Sequence, residues 1–247
     1  YTAPFVDFNQ DGEYNVYDGD YPVLKGDRML WWVINDLTPH LESNGEPFGI
    51  EVAVCLYGYD CQNGDLMPTS IFVEYSVMNR SDKSYNEVYL GYFTDLDIGC
   101  SDDDFVGTLH DQYSYFAYNI DATDGLPGSS CAGVKTYADE PPIQSVTFLD
   151  RSLDGTIATL RAVGYPQVPL SFYRFLQAIW PNGVPQTTGG DGYNPGSANI
   201  APHAYPGNPS DPASWAQCNT GAWLADRRVI ASHGPFDFPA GDTFSIR

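Results

Sequence analysis

Asp7, Asn9, Asp11, Glu13, Asn15 and Asp18 fall within twelve residues, at the spacing of the oxygen ligands in an EF-hand-type calcium loop. The side chains of Asp7, Asn9 and Asp11 would bind at positions one, three and five, and Gly12 permits the sharp turn around the ion. The main-chain carbonyl of Glu13 would follow at position seven, Asn15 at nine, and Asp18 at twelve, where a longer Glu is more usual. The succeeding Gly19-Asp20-Tyr21-Pro22 cannot begin an ordinary helix, because the residue before a proline is driven out of the α region. The loop is therefore expected without a second EF helix. Its chemistry is the capture of a hard divalent cation, Ca2+, and not a reaction.

A second acidic run, Asp95-Leu96-Asp97-Ile98-Gly99-Cys100-Ser101-Asp102-Asp103-Asp104, follows a strand expected to end near Thr94. Carboxylates this close repel unless they are solvated, protonated or neutralised by a cation. Asp95 and Asp97 share one face of an extended segment and are candidates for a second metal site with Asp102 and Asp103; a solvated acidic loop accounts for the run equally well. The same pair read as the acid and base of a glycosidase has little else to support it, since no sugar subsite is marked. Histidines 40, 110, 203 and 233 stand alone, and the chain carries no HExxH, GxSxG, GxGxxG or P-loop. Catalysis is accordingly not the expected role. Among the tryptophans, Trp180 and Trp215 border a long loop and are the better candidates for stacking on a sugar, although packing is the commoner use of such residues.

The elements that must position these groups read as strands. Branched and aromatic residues alternate with period two from Met29 to Ile34, from Ile50 to Leu56, from Ser70 to Asn79 and from Val88 to Tyr92. Further candidates are Ser114 to Asn119, Val146 to Leu149, Leu170 to Ile179, Arg228 to Ser232 and Asp242 to Ile246. The turn Arg80-Ser81-Asp82-Lys83-Ser84 suggests a hairpin between the runs on either side of it. The expected fold is an all-β, antiparallel β-sandwich with long Gly/Pro-rich loops at Asp121 to Pro142 and Pro181 to Gly221. Residues 1–28 would form the calcium-loop segment packed on one domain, 29–247.

Composition narrows the partners. A net charge of −21 repels nucleic-acid phosphates and anionic lipid surfaces and favours cations. No apolar run is long enough to cross a bilayer as a helix, so direct membrane insertion is not expected. The 43% hydrophobic and 15% aromatic content supplies the burial that a disordered acidic chain lacks. Five cysteines match no zinc or CxxC pattern; Cys55 with Cys61 and Cys100 with Cys131 are the disulfides to consider, with Cys218 left over.

Several phrases, in order, resemble a known group of proteins. Ala3-Pro4-Phe5-Val6-Asp7 leads into the opening loop and Gly19-Asp20-Tyr21-Pro22, followed by Lys25-Gly26-Asp27 and Trp31-Trp32-Val33-Ile34-Asn35-Asp36. Later come Gly45-Glu46-Pro47, Asn79-Arg80-Ser81, Asp95-Leu96-Asp97-Ile98-Gly99, Asp226-Arg227-Arg228, Ser232-His233-Gly234-Pro235-Phe236 and Pro239-Ala240-Gly241-Asp242-Thr243. Together they resemble modules of large secreted Bacteroidetes proteins that carry a type IX secretion sorting tail. That resemblance implies an extracellular or cell-surface β module, one domain of something longer, with no catalytic residue to carry over. Cys55, Cys61 and Cys131 stand outside it. The expected function is calcium-stabilised adhesion, display or assembly with other surface proteins, the alternative being a carbohydrate-binding module or glycan-active enzyme.

Overall fold

Period-two alternation becomes strand almost wherever it occurs. The computed structural model describes residues 3–61, 67–125, 131, 135–160 and 165–247. In chain order the elements are β1 (Phe5–Val6), β2 (Tyr21–Pro22), β3 (Arg28–Asn35), β4 (Ile50–Gly58), β5 (Phe72–Asn79) and β6 (Tyr85–Thr94). They continue with β7 (Asp104–Leu109), β8 (Ser114–Asn119), β9 (Gln144–Thr147), β10 (Gly155–Leu160), α1 (Pro169–Phe175), β11 (Arg227–Phe238) and β12 (Thr243–Ile246). The protein is mostly β, and its strands pair in antiparallel sheets.

Two compact units divide the chain. The first comprises the chain up to Thr38, Pro47–Ser84 and Pro239–Arg247; the second comprises Pro39–Glu46 and Tyr85–Phe238. The opening segment thus belongs with β3, β4, β5 and β12, and the remainder is shared between the units.

In the first unit β1 pairs with β2, and a four-stranded sheet runs β12-β5-β4-β3. Register places Trp32 opposite Val54 and Val54 opposite Tyr75, so these residues share one face, while Trp31, Cys55 and Glu74 share the other. Val54, Val77 and Ile246 are buried on the first of these faces.

In the second unit the sheets run β10-β11-β6 and β7-β8-β9. Phe105, Tyr115, Ala117, Ile157, Val229 and Ala231 are buried there. The Thr108 and Thr156 hydroxyls meet at 2.9 Å between β7 and β10, and the Tyr115 hydroxyl meets Thr94 Oγ1 between β8 and β6.

Two sequence expectations fail here. The runs flanking Arg80–Ser84 do not form a hairpin: β5 lies between β4 and β12, and β6 pairs with β11 in the other unit. Asn79 explains the departure locally, because its buried amide donates to the carbonyls of Lys83 (2.8 Å) and Pro239 (3.0 Å). The C-terminal strand thereby occupies the edge that a hairpin partner would take. The second failure is Leu170 to Ile179, read as a strand, where the chain forms α1. Pro169 occupies the first turn, where its missing N–H costs nothing, and Ser171 Oγ accepts from the N–H groups of Gln167 (3.0 Å) and Val168 (3.1 Å). Ser171 and Phe175 are buried four residues apart, a helical spacing that the denser aromatic alternation conceals.

Candidate metal centres and binding surfaces

The opening loop is closed at its base before any ion is considered. β1 and β2 pair Phe5 with Pro22 and Val6 with Tyr21. Asp20, only 2% exposed, accepts the Phe8 N–H on Oδ1 and the Asn15 N–H on Oδ2, both at 2.8 Å. Within the loop, the Asp7 carboxylate accepts N–H groups from Gln10 (2.6 Å), Asp11 (3.2 Å) and Gly12 (2.7 Å). Gly12 has φ +82°, a region where a side chain would be strained. Asn15 caps the single 3-10 turn Val16–Asp18 by accepting the Tyr17 N–H at 3.1 Å, and Gly19 at φ +100° ends it. One short turn thus stands in place of a second helix.

The Asn9 amide donates to Asp11 at 2.8 Å and the Asn15 amide donates to Asp18 at 2.6 Å, so candidate ligand side chains are already in contact. Asp7 and Asn15 are half-buried, whereas Asn9, Asp11, Glu13 and Asp18 are exposed. An all-oxygen donor set fits a hard cation such as calcium. The sequence reading passed over Asp20; its signal was an acid flanked by the helix-stopping Gly19 and the β2 pair Tyr21-Pro22.

The second acidic run is split by the fold. Carboxylate oxygens of Asp95, Asp97 and Asp226 lie within 4.8 Å of one another, the one such group of three among the described residues. Arg228 reaches Asp95 at 2.7 Å and also pairs with Asp226. Three carboxylates and one guanidinium leave two negative charges, compatible with a cation at the rim. Asp226 and Arg228 could not be associated with Asp95 by spacing, since strand pairing across β6 and β11 brings them together.

Asp103 belongs elsewhere, with the interior. It is fully buried, and Oδ2 accepts the Gly125 N–H at 2.9 Å. Asp104, 1% exposed, accepts the Ile98 N–H at 2.7 Å. Burial pushes the carboxyl groups of both upward, that of Asp104 to about 7, with the negative charges of Asp103, Asp124 and Asp97 adding to the rise and the Ile98 N–H opposing it. Buried Asp124 accepts from the N–H groups of Cys100 (2.9 Å) and Tyr137 (2.5 Å). Cys100 is joined to Cys131 by a disulfide, whereas Cys55, Cys61 and Cys218 are free thiols, so Cys55 and Cys61 are not a second pair. Within the first long loop, residues 126–130 and 132–134 lie outside the described residues.

The aromatic candidates are partly committed to packing. The Trp180 indole N–H donates to the Gly192 carbonyl and that of Trp215 to the Gly190 carbonyl, both at 3.1 Å, so the two rings clamp one glycine-rich turn. Trp223 is 83% exposed and is the tryptophan presented most fully to solvent. In the first unit a groove of about 250 Å3 lies over the sheet, lined by Met29, Trp31, Cys55 and Glu74 and crossed by the Lys25–Glu74 ion pair. Ser152, His233 and Asp154 also meet, but both Ser152 (3.4 Å) and Asp154 (3.0 Å) face the same ring nitrogen, Nδ1. A relay needs the two ring nitrogens to face different partners, so this trio is a structural contact.

No helix among the described residues is long and apolar enough to cross a membrane. Comparison with protein-family models, with curated proteins and with solved structures found nothing that matches this chain.

Proposed function

We propose that the chain is a calcium-stabilised β module of a secreted or cell-surface protein, serving adhesion, display or extracellular assembly and carrying out no reaction. The observation that carries this reading is the folded opening loop, where Asp7 gathers three N–H groups, Gly12 turns the chain and Asn15 caps the exit. In such a loop Asp7, Asn9, Asp11, Asn15 and Asp18 supply side-chain oxygens and Glu13 its carbonyl. The antiparallel sheets are read as layers of a β-sandwich, and the resemblance to type IX-secreted modules supplies the extracellular setting.

Extracellular calcium modules bind with dissociation constants of ~10⁻⁴ to 10⁻³ M, so such a site fills outside the cell and empties inside it. At calcium a hundredfold above its dissociation constant the ion contributes about 2.7 kcal/mol of stability. The test is thermal unfolding in calcium, in chelator and in magnesium, for the wild type and for Asp11→Ala. A calcium-specific rise that shrinks in the variant supports the reading; an equal loss from Asp11→Ala in all three conditions removes the site.

A second reading, glycan recognition, is favoured by Trp223, whose ring is 83% exposed and stands three residues before Asp226 of the rim carboxylates. Saturable binding on a glycan array that disappears in Trp223→Ala supports it. Binding lost in Trp215→Ala alone would move the platform to the clamped turn.

A further inference from the structure

The four-stranded sheet of the first unit ends on one side in β12, four residues long, and on the other in β3, eight residues long. Short edge strands, charges, prolines and bulges are the usual means of stopping an edge from pairing with another chain. The run Met29-Leu30-Trp31-Trp32-Val33-Ile34 has no charge and no proline, and β3 keeps one register against β4 from Arg28 to Asn35. That edge is unguarded.

The ladder decides which backbone groups it offers. The Asp36 N–H donates to the Ile50 carbonyl at 3.1 Å, so in this register the even-numbered residues of β3 turn their N–H and C=O groups to β4. The next ladder agrees: the Arg80 N–H donates to the Gly49 carbonyl at 2.9 Å, which assigns the odd-numbered residues of β4 to β5. Met29, Trp31, Val33 and Asn35 therefore point their N–H and C=O groups away from the sheet, and these backbone groups have no partner among the described residues.

The even-numbered side chains share one face and read Arg28, Leu30, Trp32, Ile34, Asp36, a cation, three apolar groups and an anion. Leu30, Trp32 and Ile34 are 63%, 39% and 53% exposed. The exposed Arg28 guanidinium has no ion-pair partner among the described residues, in a chain whose net charge is −21. Reversed about Trp32, this order is its own complement.

We propose that β3 pairs antiparallel with β3 of a second copy of this chain, across a two-fold axis at Trp32, so that the two four-stranded sheets become continuous. Outward backbone groups must meet outward groups, which admits only registers that oppose odd-numbered residues to odd-numbered residues. With the axis at Trp32, Met29 exchanges hydrogen bonds with Asn35 of the second copy, and Trp31 with Val33 of the second copy. Leu30 then meets Ile34 of the second copy, and Arg28 meets Asp36 of the second copy at both ends. Moving the axis to Trp31 sets Arg28 against Ile34, and moving it to Val33 sets Asp36 against Leu30. Asp36 accepts the N–H groups of Phe48 (2.7 Å) and Ile50 (2.5 Å), which fixes its carboxylate without removing its charge. An unrelated strand would satisfy the backbone groups alone; the matched charges at the two ends select a second copy.

The test is sedimentation equilibrium of the whole chain over a range of concentrations, in salt that screens the repulsion between two acidic copies beyond about 8 Å. A monomer–dimer equilibrium is expected. Trp32→Lys sets two cations against each other on the axis and should raise the dissociation constant at least about tenfold. Val33→Pro, which removes an outward N–H and leaves the ladder to β4 intact, should do the same and serves if Trp32→Lys does not fold. Register is read by a single added cysteine in a chain carrying Cys61→Ser and Cys218→Ser, with oxidised glutathione as the oxidant. Trp32→Cys should give a disulfide-linked dimer, because residues opposed in a pair of this kind lie about 4.5 Å apart. Ile34→Cys should not, since it stands opposite Leu30. A chain that stays monomeric at every concentration, a dimer that survives both Trp32→Lys and Val33→Pro, or cross-linking through Ile34→Cys in preference to Trp32→Cys overturns the proposal.

Discussion

The opening loop and the Asp103–Asp104 region are both dense in aspartate, yet they are organised by opposite means. In the loop the partners of each carboxylate are local: Asp7 takes N–H groups three to five residues on, and Asp20 reaches back twelve residues to Phe8. Around Asp103 and Asp104 one partner is local, the Ile98 N–H six residues before Asp104, but the others are remote: Gly125 bonds Asp103 from 22 residues away, Cys100 bonds Asp124 across 24, and Arg227 reaches the main-chain carbonyl of Asp104 across 123. Apart from Asp20, the loop acids keep contact with water, whereas Asp103 and Asp104 have none. Exposed carboxylates tolerate an empty site because water solvates them. Buried ones depend on the surrounding structure to supply every partner.

The largest expected effect lies in the buried region. Arg227→Met removes the guanidinium that holds the carbonyls of Asp104, Ala225 and Trp223, and should cost about 3–5 kcal/mol in a denaturant titration. A loss below about 1 kcal/mol would mean that remote partners do not organise this region, and the contrast with the loop would fail.

Acid should separate the regions next. Burial, together with the charge of the stacked His110 ring 5.1 Å away, lowers the His203 imidazole to about 4, against an opposing pull from Asp154 and Asp111. Between pH 6.5 and 4 the unfolded chain binds the proton and the folded chain does not, so stability falls as pH falls through that window. The loss attributable to His203 is on the order of 2–3 kcal/mol and is complete below pH 4. Comparing wild type with His203→Gln over that range checks it: the variant should lose this part of the slope.

The smallest effect should come from the loop and should depend on position. Asp20→Ala strands the Phe8 and Asn15 N–H groups at the base and should cost about 2 kcal/mol even in chelator, whereas Asp18→Ala at the exposed end should cost under about 0.5 kcal/mol there. In calcium both variants should lose the ion's contribution. Equal losses in chelator would show that Asp20 does not close the loop.

Legibility follows the same division. Strand β8 was read to its residue limits, and β3, β4 and β5 to within two residues at either end, because each is a run dense in branched and aromatic residues; exposure itself alternates along β3, whereas β8 is buried on both faces. Helix α1 was misread because Phe172, Tyr173 and Phe175 satisfy a β-like composition, and the deciding contribution came from Pro169 and the Ser171 hydroxyl. The supposed hairpin after β5 failed because alternation marks a strand without naming its neighbour. Asp102 and Asp103, adjacent in sequence and grouped together as ligands, are separated by burial: the first is half-exposed and the second fully enclosed.

By itself the sequence determined the spacing of oxygen donors in the opening loop, the placement of its turning glycine and the predominance of strands, since each depends on neighbours within a few residues. Only the tertiary structure decided that Asp20 closes that loop, that Asp226 and Arg228 join Asp95 and Asp97, and that Asp103 and Asp104 are enclosed in the interior while Asp102 stays half-exposed. The physical reason is that desolvation and strand pairing depend on which distant segments pack together, a relation that residue spacing along the chain does not encode.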